Sequence, residues 1–191
     1  MSNTSSAGLF FLQMLFSIAI LFTLLRFLFQ LLRVDYYNPI SQMVTRFTDP
    51  LLQPLRSLIP SNRTIDGASL VVLFLLQYLH LFIITQLRDL DANPLGLAIL
   101  ASAELLSLAT SLLFWSILIL AVLSWFQPHT QHPGVSLLNQ ITDPLMRPIR
   151  RWMPPAGGVD FSPILAMLAI KMAEFILIAP LQDIAAHLLQ G

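Results

Sequence analysis

Asp49-Pro50-Leu51-Leu52-Gln53-Pro54-Leu55-Arg56-Ser57-Leu58-Ile59-Pro60 returns later in the chain as Asp143-Pro144-Leu145-Met146-Arg147-Pro148-Ile149-Arg150-Arg151-Trp152-Met153-Pro154. At an offset of 94 residues, 39–66 aligns with 133–160 without a gap. Nine of the twenty-eight positions are identical: Pro39/Pro133, Thr48/Thr142, Asp49/Asp143, Pro50/Pro144, Leu51/Leu145, Pro54/Pro148, Arg56/Arg150, Pro60/Pro154 and Asp66/Asp160. Several of the remaining pairs exchange one apolar residue for another. The chain therefore reads as a duplication, each copy carrying one such element between two apolar segments.

Those apolar segments set the class. Of 191 residues, 56% are hydrophobic and only 10% charged, where a soluble domain carries about 25% charged residues. Mean hydropathy is +0.75. The expected fold is all-α and integral to a membrane, with four transmembrane helices. Residues 1–94 form the first copy, with spans near 9–32 and 69–87 around a loop at 35–66. Residues 95–191 form the second, with spans near 105–126 and 163–181 around a loop at 129–160; Leu95 to Ala103 either lengthen the third span or make a separate turn. The first span has 24 residues, about 36 Å as a helix, enough to cross a bilayer with some tilt. No basic residue precedes the run that starts at Leu9 and no small-residue cleavage signature follows it, so that run is expected to stay as an anchor.

Net charge is zero, which leaves no clustered basic footprint for nucleic acid. The absence of cysteine excludes disulfides, thiol catalysis and cysteine-ligated metals.

Within each loop the spacing predicts two short helices. Ile40, Met43, Val44 and Phe47 fall on one helical face, and Leu51, Leu52, Leu55, Leu58 and Ile59 make a second stripe. Val135, Leu137, Leu138 and Ile141, then Leu145, Met146, Ile149, Trp152 and Met153, repeat the pattern. Asp49-Pro50 and Asp143-Pro144 are expected to start the second helix of each pair, the carboxylate accepting from free first-turn amides and proline losing no needed donor at the first helical position. Pro60 and Pro154 are expected to end it. Helices this short and this one-sided belong at the membrane interface or against other helices. Arg33, Arg46, Arg56, Arg63, Arg147, Arg150 and Arg151 lie in these two loops, against Arg88 in the connection between the copies. The bias predicts both loops on the cytoplasmic side and both termini outside.

Four ionisable residues lie within or near the spans: Arg26, Glu104, Lys171 and Glu174. A charge at a helix centre costs about 2.5–3.5 kcal/mol on insertion scales, so such groups face partners or water. Lys171 and Glu174 are spaced to pair on one helix face, whereas Arg26 and Arg33 sit where long side chains bend back to the headgroups. These residues outline either an ion path or a polar clamp between helices. His129 and His132 are close in sequence but lack a third metal ligand, which makes them a solvated turn; His80 fits an interhelical hydrogen bond. No nucleophile–histidine–carboxylate set, glycine-rich phosphate loop or HExxH pattern is present, so neither an enzyme nor a cofactor is expected. Arg56, Arg147, Arg150 and Arg151 beside apolar stripes suit anionic headgroups.

With these residues laid out, the sequence resembles the YggT/YlmG family of small integral membrane proteins of bacteria and plastids. The resemblance covers nearly all of the chain after Leu9. It rests on Asp35-Tyr36-Tyr37-Asn38-Pro39, on the two Asp-Pro-Leu-x-x-Pro-x-Arg elements at 49–56 and 143–150, and on Gly158-Val159-Asp160-Phe161-Ser162-Pro163; the first copy reads Thr64-Ile65-Asp66-Gly67-Ala68-Ser69, without that last proline. It implies a duplicated membrane unit without an established enzymatic activity, in a family connected with osmotic or ion homeostasis, with division or nucleoid organisation, and with cytochrome assembly in plastids. The expectation is a bacterial inner-membrane scaffold or assembly factor. Its partners would be membrane lipids and an integral membrane protein or a second copy of the chain. The alternative is an ion or osmotic homeostasis protein, or small transporter, that uses the intramembrane charges.

Overall fold

The computed structural model describes residues 3–56, 66–88, 93–126, 132–152 and 160–190. Among them the elements are α1 (Asn3–Leu31), α2 (Pro39–Arg56), α3 (Gly67–Leu87), α4 (Pro94–Phe126), α5 (Pro133–Trp152) and α6 (Ser162–Ala173), then a π-helical turn (Glu174–Ile178) that leads into α7 (Ala179–Gln190). Four stretches are long and apolar enough to cross a membrane: Ala7–Leu31, Gly67–Leu87, Pro94–Ser124 and Ser162–Gln190. The fold is all-α with four membrane-spanning helices.

Two spans run further than 105–126 and 163–181. Leu95 to Ala103 belong to α4 and lengthen the third span. The fourth does not stop near Leu181 but continues through α7 to Gln190. The two extensions pack on each other, the start of α4 against the end of α7. Gly96 permits it: a Cβ there would stand 3.0 Å from Leu189 Cγ and 3.2 Å from Leu188 Cβ.

Each helix start has a local reason. Asn38 Oδ1 accepts from Ile40 N at 2.9 Å, Asn93 Oδ1 from Leu95 N at 2.9 Å, and His132 Nδ1 from Gly134 N at 3.1 Å. A proline follows each of these three residues at the first helical position, where its missing N–H costs nothing. Asn38 and His132 are repeat equivalents, so two different side chains perform the same cap. The end of α1 is also defined. Val34 N donates to Phe29 O at 2.8 Å and Arg33 N to Gln30 O at 3.2 Å, while Arg33 takes φ 55°. This is the left-handed closure of a Schellman motif, with Val34 packed against the cluster that holds Phe29.

The expectation of two helices per loop is corrected. Each loop holds one helix that runs through two prolines, Pro50 and Pro54 in α2 and Pro144 and Pro148 in α5. All four prolines are on the exposed side. Proline removes the amide that residue i−4 would use, so here the carbonyls that lose an intrahelical donor lie along the outward edge, where a polar environment can serve them. Asp49 and Asp143 are consequently mid-helix residues and cap nothing. The expected helix ends at Pro60 and Pro154, the stripe residues Leu58, Ile59 and Met153, and the turn at His129 fall outside the described residues.

Packing repeats with the sequence. Leu52 meets Ala68 and Val72 in the first copy, and Met146 meets Ala166 and Ile170 in the second; Leu52/Met146 and Val72/Ala166 are 94 apart. Fully burying a side chain such as Leu52 contributes about 1.5–3 kcal/mol relative to water. Phe16 against His80 and Ile20 against Leu73 show that α1 and α3 run antiparallel. α3 packs on α4, and α4 on α6 and α7. Besides α3 on α4, the copies join where Leu105, Leu108 and Leu112 of α4 close over Ile20, Leu24 and Leu28, and where Val44 of α2 shares a cluster with Leu137 and Ile141 of α5.

Candidate functional site

The repeated loop residues do not form one patch; they form a clasp in each copy. Arg56, the last residue of α2, places Nη2 2.8 Å from Asp66 Oδ2, and Arg150 places Nε 3.2 Å from Asp160 Oδ2. Asp66 is wholly buried and caps α3, accepting from Ser69 N at 3.3 Å and Ser69 Oγ at 2.7 Å. Asp160 accepts from Ser162 N at 2.9 Å and Ser162 Oγ at 2.5 Å ahead of α6. Burial pushes the Asp66 carboxyl up, but the Arg56 and Ser69 donors outweigh it and hold the group below its usual value. Asp160 follows the same balance with Ser162 and Arg150. Each clasp thus ties the end of the short helix to the start of the following span. The identities at Arg56/Arg150 and Asp66/Asp160 flag these residues, and opposite charge is the one signal in the sequence for their pairing.

Arg26 is where the structure departs from a headgroup-seeking side chain. It is buried, and its Nη1 donates to Thr45 O at 2.9 Å and Thr48 Oγ1 at 2.7 Å while pairing with Asp49 Oδ1 at 2.8 Å. α2 therefore lies over the end of α1 with one guanidinium as its anchor. A charge that leaves water is tolerated only with such partners. The second copy has Leu120 at this position, and Asp143 pairs instead along its own helix with Arg147, at 2.5 Å.

The other intramembrane residues lie in separate places. Gln77 Nε2 on α3 donates to Glu104 Oε2 on α4. Lys171 Nζ stands 2.7 Å from Glu174 Oε2 and 4.8 Å from the centre of the Phe114 ring. Thr110 Oγ1 donates to Glu174 Oε1 at 2.7 Å, joining α4 to the fourth span at its π-helical turn. Among the described residues, no hydrogen bond or ion pair links Arg26, Glu104 and the Lys171–Glu174 pair to one another. His80 stacks on Phe16 at 5.4 Å, and neither of its ring nitrogens has a hydrogen-bond partner. These two residues are the repeat equivalents of Glu174 and Thr110, so one helix crossing is a ring stack in the first copy and a hydrogen bond in the second. Among the described residues, no group of histidine and acidic side chains is arranged to hold a metal ion.

The copies meet at the starts of α2 and α5. Asn38 Nδ2 donates to Pro133 O at 2.8 Å, and Asp35 N donates to Gln140 Oε1 at 2.7 Å. Asn38 thus caps α2 with its oxygen and holds α5 with its nitrogen. The faces turned away from the bundle carry exposed Met43, Leu51 and Trp152 together with Arg46, Arg147 and Arg151, while Phe47, half exposed, packs its ring on Phe22 of α1 at 4.5 Å.

Comparison with known proteins places this arrangement in a family. The CCB3/YggT family model matches residues 5–87 and again 99–181. The protein PA0392 of Pseudomonas aeruginosa is 40% identical over 180 residues, 93% of this chain and 91% of the relative. The protein YggT of Escherichia coli K12 is 36% identical over 171 residues, 88% and 87% of the two chains, and a Vibrio alginolyticus protein is 35% identical over 88% and 91%. No solved structure matches. The chain, with two matched units that each hold a span, a short proline-bearing helix and a second span, belongs to the CCB3/YggT family.

Proposed function

We propose that this protein is a non-enzymatic scaffold of the bacterial inner membrane, in which the outward faces of α2 and α5 form one amphipathic docking surface for an integral membrane partner. The observation that supports this reading is the Asn38–Pro133 tie, which joins the starts of the two short helices. Exposed apolar side chains alternate there with arginines, a composition suited to the headgroup layer. The seven loop arginines favour the cytoplasmic side for this platform, with both termini across the membrane. In this reading the buried faces and the two clasps make the platform rigid, and rigidity lowers the ordering cost of binding.

The intramembrane polar groups fit the clamp rather than the ion path, because Glu104 and Glu174 each already accept from a neighbouring helix. Buried polar groups satisfied in this way fix helix contacts.

The test is affinity capture of the tagged protein from its own membrane in mild detergent, with Met43→Glu and Trp152→Glu as the control pair. Both residues point outward, Trp152 with 91% of its surface exposed, whereas Leu55 and Ile149 pack into the core clusters and would disturb the fold. The expected result is a stoichiometric membrane-protein partner that is lost in the double variant while insertion is retained. Loss of ion-dependent growth in Glu104→Gln plus Glu174→Gln, with insertion and partner capture intact, would favour the transport reading instead.

A further inference from the structure

The two copies differ where Arg26 stands, and a cleft lies at the corresponding place in the second copy. In the first copy Arg26 reaches from its span to Thr45, Thr48 and Asp49. Their counterparts 94 residues on are Leu120, Asn139, Thr142 and Asp143. The acceptor side persists in the second copy as Asn139, Thr142 and Asp143, while the cation that would occupy it is replaced by a leucine. All four residues line a cleft of about 980 Å³ between α4, α5 and α6. Thr142 is buried and donates its hydroxyl to Leu138 O at 2.9 Å, which leaves the oxygen's lone pairs for a donor, as Thr48 offers its own to Arg26.

The first copy therefore shows what this ledge accepts: an N–H cation delivered alongside a span, near the end of the helix. The cleft is much larger than a guanidinium, lies at the upper end of the roughly 300–1,000 Å³ range of small-molecule sites, and its remaining wall is largely apolar, with Ile117, Ala121, Met146, Ile164 and Met167. An occupant must pair a cationic N–H head with a long apolar body. A cation for an anionic group stands beside the cleft, for Arg147 lines a neighbouring pocket that shares Gln140 and Asp143 with it. Arg147 is mostly exposed and holds Asp143 at 2.5 Å; an exposed pair of this kind is weak, so an incoming ammonium can take the carboxylate while Arg147 turns to an adjacent phosphate. Arg150 lines the same cleft.

We propose that the cleft of the second copy binds one phospholipid with a primary-ammonium headgroup, of the phosphatidylethanolamine class. The ammonium sits on Asp143, Asn139 and Thr142 in the place that Arg26 fills in the first copy, the phosphate meets Arg147, and an acyl chain follows the apolar wall. This site does not depend on the scaffold reading.

The experiment is native mass spectrometry of the full chain released from nanodiscs that contain equal parts of phosphatidylethanolamine, phosphatidylcholine and phosphatidylglycerol. One phosphatidylethanolamine per chain should be retained, about tenfold over phosphatidylcholine, whose quaternary amine has no N–H to donate. Leu120→Arg supplies the missing cation from within; it should abolish that retention without lowering the melting temperature. Asp143→Asn, which keeps the side-chain shape, should remove the preference between the ethanolamine and choline lipids and decides the matter should Leu120→Arg fail to fold. Equal retention of the three lipids, preference for phosphatidylglycerol, no lipid retained at one per chain, or unchanged retention in folded Leu120→Arg would each overturn the proposal.

Discussion

Arg26 and Asp49 stand 2.8 Å apart, and this pair anchors the first short helix to the first span. Arg26 also donates to Thr45 O and Thr48 Oγ1, so contacts on two successive turns of α2 depend on one side chain. Replacement by Met keeps the apolar stem and removes the head, leaving a buried hydroxyl and a part-exposed carboxylate without their donor. The expected cost is about 2 kcal/mol, at the low side for a broken buried pair because Asp49 still reaches water. Thermal unfolding in nanodiscs should show it, and Arg26→Met with Asp49→Asn should lose less than the two single changes added together. Additive losses would mean that the pair is not coupled.

The buried Asp66 carboxylate makes the start of α3 sensitive to acid. Its folded value lies below the ordinary 3.8, so its stabilisation is fully present above that value and is lost as pH falls through the lower, folded one. Protection factors of the amides from Ser69 to Leu73, taken against intrinsic exchange at each pH, should fall below about pH 4. Asp66→Asn, which keeps the acceptor for Ser69 but not the charge for Arg56, should remove this pH dependence. Asp66→Ala should in addition lose the cap, about 1 kcal/mol. A pH profile identical in wild type and Asp66→Asn would refute the assignment.

Arg33 adopts φ 55° at the end of α1, a conformation that glycine takes without strain. Arg33→Gly should raise stability by about 0.5–1 kcal/mol, whereas Arg33→Val should lower it. The check is the difference in melting temperature between the two variants at equal insertion. A loss in the glycine variant would show that the arginine head contributes more than its backbone costs.

Gln77 is the donor that Glu104 has between α3 and α4. Gln77→Leu leaves the acid without it at membrane depth and should cost about 0.6–2 kcal/mol, the range of interhelical hydrogen bonds in membranes. Adding Glu104→Leu should recover most of the loss, because an apolar pair needs no partner. Steric-trap or thermal unfolding of the two single variants and the double variant measures this directly; no recovery in the double variant would count against the bond.

The extent of the spans shows how far the residues speak for themselves. Apolar runs and the 94-residue offset mark the helices because both are properties of consecutive positions. The packing of the long ends of α4 and α7 is not visible along the chain, since Gly96 meets Leu188 and Leu189 across opposite ends of the second copy. The two prolines of each short helix misled for a related reason. Asp49-Pro50 and Asp143-Pro144 have the composition of a helix start, but Asp49 pairs with Arg26 and Asp143 with Arg147, and the exposed edge accommodates the missing amides. A local preference of about 1 kcal/mol for a cap yields to the buried stripe that runs past the Asp-Pro in both helices, Val44, Thr48 and Leu52 in α2 and Ile141, Thr142 and Met146 in α5.

The sequence by itself determined the class, the duplication, the four spans and the identity of the repeated Asp, Pro and Arg positions, because hydrophobicity and repetition are written along the chain. Only the tertiary structure decided the partners: Arg56 with Asp66, Arg150 with Asp160, Arg26 with Asp49, and Gln77 with Glu104. A polar side chain in a largely apolar protein takes whichever complementary group the helix packing brings within hydrogen-bond reach, and that distance is a property of the fold.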